Sequence, residues 1–349
     1  MSDIRTELAD KVRIQAGWCR IVGSPLYESL LESVADDIAS GGPAWDIMQD
    51  LAGAKLRSAP ALKLMGAVHR LVLDGSIPEL EPFYPSVGGY ADADATWPIF
   101  RNSLVRHGDA IRPLLSRPVQ TNEVGRAASL VGGFLTVAKE TGLPLRTLEV
   151  GASGALLSRW DRYRYEARGL KWGDPQSPLN LCSFNSDLPL PFEIKVKVVD
   201  RAACDQAPVD VTTEEGQLTL TSFIWADQVH RVRLMRVACE IARTVPVTVE
   251  EATAVDWVSA QLAETPKGAA TVVFHSIVMQ YLSDADRSRF ESTIRTAGAR
   301  ATKDAPLAWL RMEPGEEEAH VHLTLWPEGK EKLVATTGYH GHDVRWLGW

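Results

Sequence analysis

From Pro118 onward, short runs rich in Val, Ile, Leu and Thr alternate with longer stretches that place apolar residues three and four apart. No other feature constrains the fold as tightly. RTLEV, LTLTSFIW, VTVEE and TVVFHSIV read as strands, and SGALLSRWDRY, DQVHRVRLMRVACEIAR, AVDWVSAQLAE and DADRSRFESTIRTAG read as helices. Thr121 is placed to cap a further helix through NEVGRAASLVGGFLTVAKETG. PLAWLRME, HVHLTLW and KLVATTGY close the chain as consecutive strands, the last two joined by WPEGKE. Alternation of this kind predicts a parallel sheet wrapped by helices, with an antiparallel hairpin at one edge. Residues 164–217 break the rhythm: the turns WGDPQSP and LPLPF and the alternating EIKVKVV predict a β-rich insertion.

The first 117 residues have a different pattern. IRTELADKVRIQAGWC, PLYESLLESVADDIAS and PALKLMGAVHRLVLDG carry helical spacing, and Pro25 and Pro60 stand where a first helical turn tolerates them. Residues 75–98, dense in Pro, Gly and aromatics, read as a long ordered loop. With 349 residues the chain is long enough for two domains, an all-helical one over 1–117 and an α/β one over 118–349.

A formal charge of −8, with acids and bases interspersed, argues against a phosphate-backbone partner. The opening MSDIRTELADK has no apolar core, and no run approaches the roughly 18 apolar residues a membrane span needs. Cys19, Cys182, Cys204 and Cys239 show no paired spacing and read as buried thiols of a reducing compartment, so a cytoplasmic protein is expected.

The stretch TLEVGASGALLSRWDRY poses the functional question, because a strand, a tight Gly turn and a helix start make a ligand site. A dinucleotide fingerprint lacks two of its glycines and a P-loop lacks its Gly-Lys pair. Glu149, two residues before Gly151, opposes any phosphate: at about 4 Å the repulsion is on the order of 4 kcal/mol per unit charge at an effective dielectric near 20. The acid therefore points to a cationic, phosphate-free ligand such as S-adenosylmethionine, contacted by Glu149, Gly151, Ala152, Ser153 and Gly154. E-V-G-A-S-G-A resembles the first motif of the class I S-adenosylmethionine-dependent methyltransferases, departing from it at Ser153 and Ala155. That resemblance implies a Rossmann-like sheet whose last antiparallel strand slots back among the others. It also implies an acid at the end of the second strand for the ribose hydroxyls, the place given to Asp227, whose alternative role is to cap the helix that follows it.

FYPSVGG, VQTNEVGRAA, WGDPQSP, CDQAPVD, FIWADQVHR, VVFHSIVMQYL and GYHG, together with LEVGAS, resemble the domain of unknown function family 2332 over nearly the whole chain. The resemblance implies a methyltransferase-like domain in a bacterial protein and supplies no activity.

His275, at the end of a strand, is a candidate general base for a small-molecule methyl acceptor, with Tyr281 close behind it. The aromatic loop 83–98, Gln120, Asn122 and Glu123 are expected to line the acceptor and cofactor pocket, Asn122 on the cofactor side. Three rivals stand beside methyl transfer: a serine hydrolase using Ser153 with His340 or His342, a metal on His320/His322 or His340/His342, and a nucleoside-binding or scaffold protein without turnover. No metal is assigned.

Overall fold

The computed structural model describes residues 4–53 and 55–349, and the chain divides into two compact units. The first comprises the residues up to Thr121 together with Glu214–Arg233; the second comprises Asn122–Thr213 and Leu234–Trp349. The boundary expected at 117 therefore falls at Thr121, and a segment expected in the α/β half returns to the helical one. The first three residues of the charged opening lie outside the described residues.

Helices α1 (Ile4–Ile21), α2 (Pro25–Ala39), α3 (Pro43–Met48), α4 (Pro60–Leu73), α5 (Ala93–Arg106) and α6 (Gly108–Leu114) build the first unit. Within 75–98 the chain forms two 3₁₀ turns, Pro78–Phe83 and Pro85–Val87, and then enters α5. Leu8, Val12, Leu30, Val34, Leu64 and Val68 are fully buried in one core, each on the apolar stripe its spacing predicts.

In the second unit α7 (Arg126–Thr141) precedes β1 (Leu145–Val150). Thr121 does not cap α7, whose N-cap is Gly125. A small sheet comes next, β2 (Arg164–Ala167), β3 (Leu170–Gly173) and β4 (Asn180–Leu181), before β5 (Val198–Asp205) rejoins the main sheet. The insertion is thus shorter than 164–217. EIKVKVV is mostly irregular, and its last valines start the true second strand.

LTLTSFIW is not a strand. Glu214–Ser222 forms helix α8, and α9 (Val229–Thr244) comes after it. The alternation of Leu and Thr suits a strand locally, but contacts within the first unit override it. Arg70 pairs with Glu215 in the first turn of α8 at 2.5 Å, and His69 Nδ1 lies 3.1 Å from the Ser222 carbonyl oxygen.

The remaining elements run β6 (Val249–Glu251), α10 (Ala254–Gln261), β7 (Ala270–Ser276), α11 (Asp284–Gly298), β8 (Leu307–Pro314), β9 (Ala319–Trp326), β10 (Lys330–Thr337) and β11 (Arg345–Trp346). The sheet order is β11-β10-β9-β8-β7-β1-β5-β6, with β6, β5, β1, β7 and β8 parallel and β9, β10 and β11 each antiparallel to its neighbour. The C-terminal strands form a meander in which each pairs with the next, so no last strand slots back beside β8. The two-residue β11 closes that edge.

Leu148, Val150, Val273 and Trp309 face α10 and α11. On the other face α7 lies so close that a Cβ at Gly133 would stand 2.4 Å from Leu310, and Phe134 stacks on Trp160 at 4.3 Å. Of the cysteines, Cys182 is exposed, because it falls in the irregular stretch after β4.

Candidate functional site

The parallel strands β1, β5 and β7 end together, at the edge where open α/β sheets collect ligands. After β1 the chain takes left-handed conformations at Gly151, Ser153 and Ala155, with φ of 66°, 53° and 54°. Gly is required at the first, since a Cβ there would meet Val278 at 2.6 Å. Ser153 and Ala155 are strained at such angles and are held by hydrogen bonds from the backbone N–H groups of the turn. The Ala152 N–H donates to the Cys204 carbonyl, Ser153 N–H to Asp205 at 2.7 Å, Ala155 N–H to the Ala152 carbonyl and Leu156 N–H to Asn122 Oδ1 at 3.1 Å. Those donors are therefore spent on protein. Leu157–Arg162 then forms a 3₁₀ segment rather than the expected α-helix, so no α-helix N-terminus faces the turn. Within that segment Arg159 leaves helical angles, at φ −100° and ψ 17°.

Glu149 lies beneath this turn. It is 2% exposed, and Ser158 Oγ sits 2.5 Å from its Oε2. Burial pushes its pKa up to about 8, against the opposing pull of Ser158 and Arg159. At neutral pH it is mostly a neutral acid, which removes the premise that a carboxylate here selects a cation.

His275 is 1% exposed and both ring nitrogens are engaged. Trp309 Nε1–H donates to Nε2 at 3.0 Å, and an indole can only donate, so Nε2 carries a lone pair and Nδ1 carries the proton. Nδ1 then donates to Glu313 Oε1 at 2.7 Å, an oxygen that also accepts from the Val278 N–H. The lone pair a general base needs is spent on Trp309. Tyr281, in a 3₁₀ turn over Met279–Tyr281, is 54% exposed.

Asp227 does not end a strand. It sits between α8 and α9 in the first unit, where it accepts from Ser24 Oγ at 2.6 Å and from the Leu26 N–H at 3.1 Å. It caps α2 from outside, a role its sequence neighbours do not reveal. The end of the second strand belongs instead to Asp205, half-buried, whose two carboxylate oxygens accept from the Ser153 and Ala207 N–H groups. Its signal is CDQAPVD, an acid shortly before a Pro turn, but in the sequence alone that stretch reads as part of the insertion.

Ser153 Oγ is buried and hydrogen-bonds nothing among the described residues, so it has no histidine partner there of the kind a hydrolase nucleophile needs. The His320 and His322 rings lie 6.1 Å apart on one face of β9. Among the described residues no group of three or more His, Cys, Asp or Glu is placed to hold a metal ion. No helix among them is long and apolar enough to cross a membrane.

Beside the turn, within the second unit, lies a cavity of about 370 Å³. Gly154 and Arg159 line one part, the loop 208–212 after β5 another, and Arg243, Pro246, Val247 and Val249 a third. Sequence reasoning missed Arg159, a lone cation inside the apolar stretch ALLSRW.

Fold and edge together define an α/β protein built on a large, mostly parallel sheet with a ligand-sized cavity beside the turn after its first strand. A family model described as an uncharacterized protein conserved in bacteria, domain of unknown function 2332, matches residues 9–346, and the chain belongs to that family. No curated protein and no solved structure matches it significantly.

Proposed function

We propose that the C-terminal edge of β1 and β5 binds a nucleoside of the S-adenosylmethionine class, and that the protein holds this ligand without turning it over. Asp205 carries the reading: a half-buried carboxylate at the end of the second strand, bonded to the turn after the first. A carboxylate at that position would accept ribose hydroxyls, each such charge-assisted bond being worth roughly 1.5–3 kcal/mol. The motif around Gly151 supports the choice of nucleoside. Binding is favoured over base-assisted catalysis because His275 spends its lone pair on Trp309.

Calorimetry with S-adenosylmethionine and S-adenosylhomocysteine tests the proposal. Both are expected to bind with Kd below about 1 mM, and Asp205→Asn to weaken them about tenfold or more. Incubation of labelled S-adenosylmethionine with the protein and a cell extract is expected to transfer no label; transfer would make the protein a methyltransferase. Absence of binding heat with either ligand would sink the nucleoside reading altogether.

A further inference from the structure

Arg159 has no task in the nucleoside reading. It is 2% exposed, and among the described residues it makes no ion pair, its hydrogen-bond partners all being backbone carbonyls. Nε donates to the Val245 carbonyl at 2.8 Å, and Nη1 donates to the carbonyls of Ala155 at 2.7 Å and Gly154 at 3.3 Å. Nη2 bonds nothing among the described residues, although a guanidinium has five donors to place. The nearby acid, Glu149, attracts Arg159 but neither hydrogen-bonds nor ion-pairs with it, and burial raises its pKa, so it offsets the charge only in part. A buried cation with free donors calls for an anion.

Arg159 lines the cavity, and Arg243 stands exposed at its rim. The opposing charge is Asp210, whose Oδ1 is turned toward the Thr212 N–H at 2.9 Å and the Thr212 hydroxyl at 2.6 Å. Two cations against one anion leave a single positive charge in excess. Val209, Val211, Val247 and Val249 supply apolar walls.

We propose that this cavity binds a small organic acid, with one carboxylate on Arg159 and Arg243 and a compact apolar body against the four valines. A single carboxylate matches the excess charge; a phosphate dianion would exceed it and meet Asp210. The site shares Gly154 with the turn of the nucleoside reading but rests on other side chains, so either can fail alone.

The test is a titration of isotope-labelled valine methyls in the full chain with 4-phenylbutyrate, its neutral amide and inorganic phosphate. The acid is expected to shift the methyls of Val209, Val211, Val247 and Val249, with half-saturation below about 10 mM. The amide should bind about tenfold more weakly, and Arg159→Lys, which keeps the charge but loses the planar fork, should weaken the acid by a similar factor. Arg159 also braces three carbonyls, so Arg243→Gln provides the variant least dependent on folding. It should weaken the acid by about two- to fivefold and leave the amide unchanged. The proposal is overturned if the amide binds as well as the acid, if phosphate alone moves these methyls, or if none of the probes moves them up to about 10 mM.

Discussion

Glu149 is an acid whose pKa moves the opposite way from a surface carboxylate, because Ser158 and Arg159 repay only part of the loss of water. Its folded pKa, about 8, lies above the ordinary value of 4.5, so the folded state holds the proton more tightly than the unfolded chain does. This contribution to stability is fully present below about pH 4.5 and is lost as pH rises to about 8. Glu149→Gln keeps the shape and removes the titration. Compared with the native chain by denaturant unfolding at several pH values, the variant should gain relative stability from about pH 5 to 8, by up to about 5 kcal/mol, and level off above. A difference that does not change with pH would show that Glu149 is ionised in the fold.

At the scale of elements, the turn after β1 depends on the segment leading into α7. Asn122 is 5% exposed and accepts from the Leu156 N–H, so Asn122→Ala strands a buried donor. The expected cost is about 1–3 kcal/mol, seen as faster hydrogen exchange at Leu156 and its neighbours while β8 and β9 keep their protection. The close approach of α7 to the sheet gives a second handle. Gly133→Val would drive a side chain into Leu310 and should destabilise the second unit by about 1–3 kcal/mol or more, measured by denaturant unfolding.

At the scale of the molecule, the chain leaves its first unit at Thr121, builds α7 and β1 to β5, returns for Glu214–Arg233 and leaves again within α9. Asp227 is the test of that return. Asp227→Ala leaves the Leu26 N–H and the Ser24 hydroxyl without their acceptor and should cost about 1–3 kcal/mol, with lost exchange protection at the start of α2. Its affinity for S-adenosylhomocysteine should match the native chain, whereas a ribose-binding role would abolish binding. Calorimetry on this one variant separates a cap from a ligand contact.

Helices α1, α2, α4, α7, α9, α10 and α11 and strands β1, β7, β8, β9 and β10 were legible from local periodicity, since each buries one face or stripe that its own residues define. Gly151 could be singled out as a turn residue for the same reason. Tertiary structure alone decided that LTLTS coils into α8 against His69 and Arg70, that Asp205 rather than Asp227 ends the second strand, and that β9 takes the place beside β8. It also decided the state of the polar groups: Glu149 and His275 look available in the sequence, but burial neutralises one and Trp309 occupies the other. Periodicity records which way a side chain points from its own backbone; partners and solvent access depend on residues far along the chain, and no local pattern carries them.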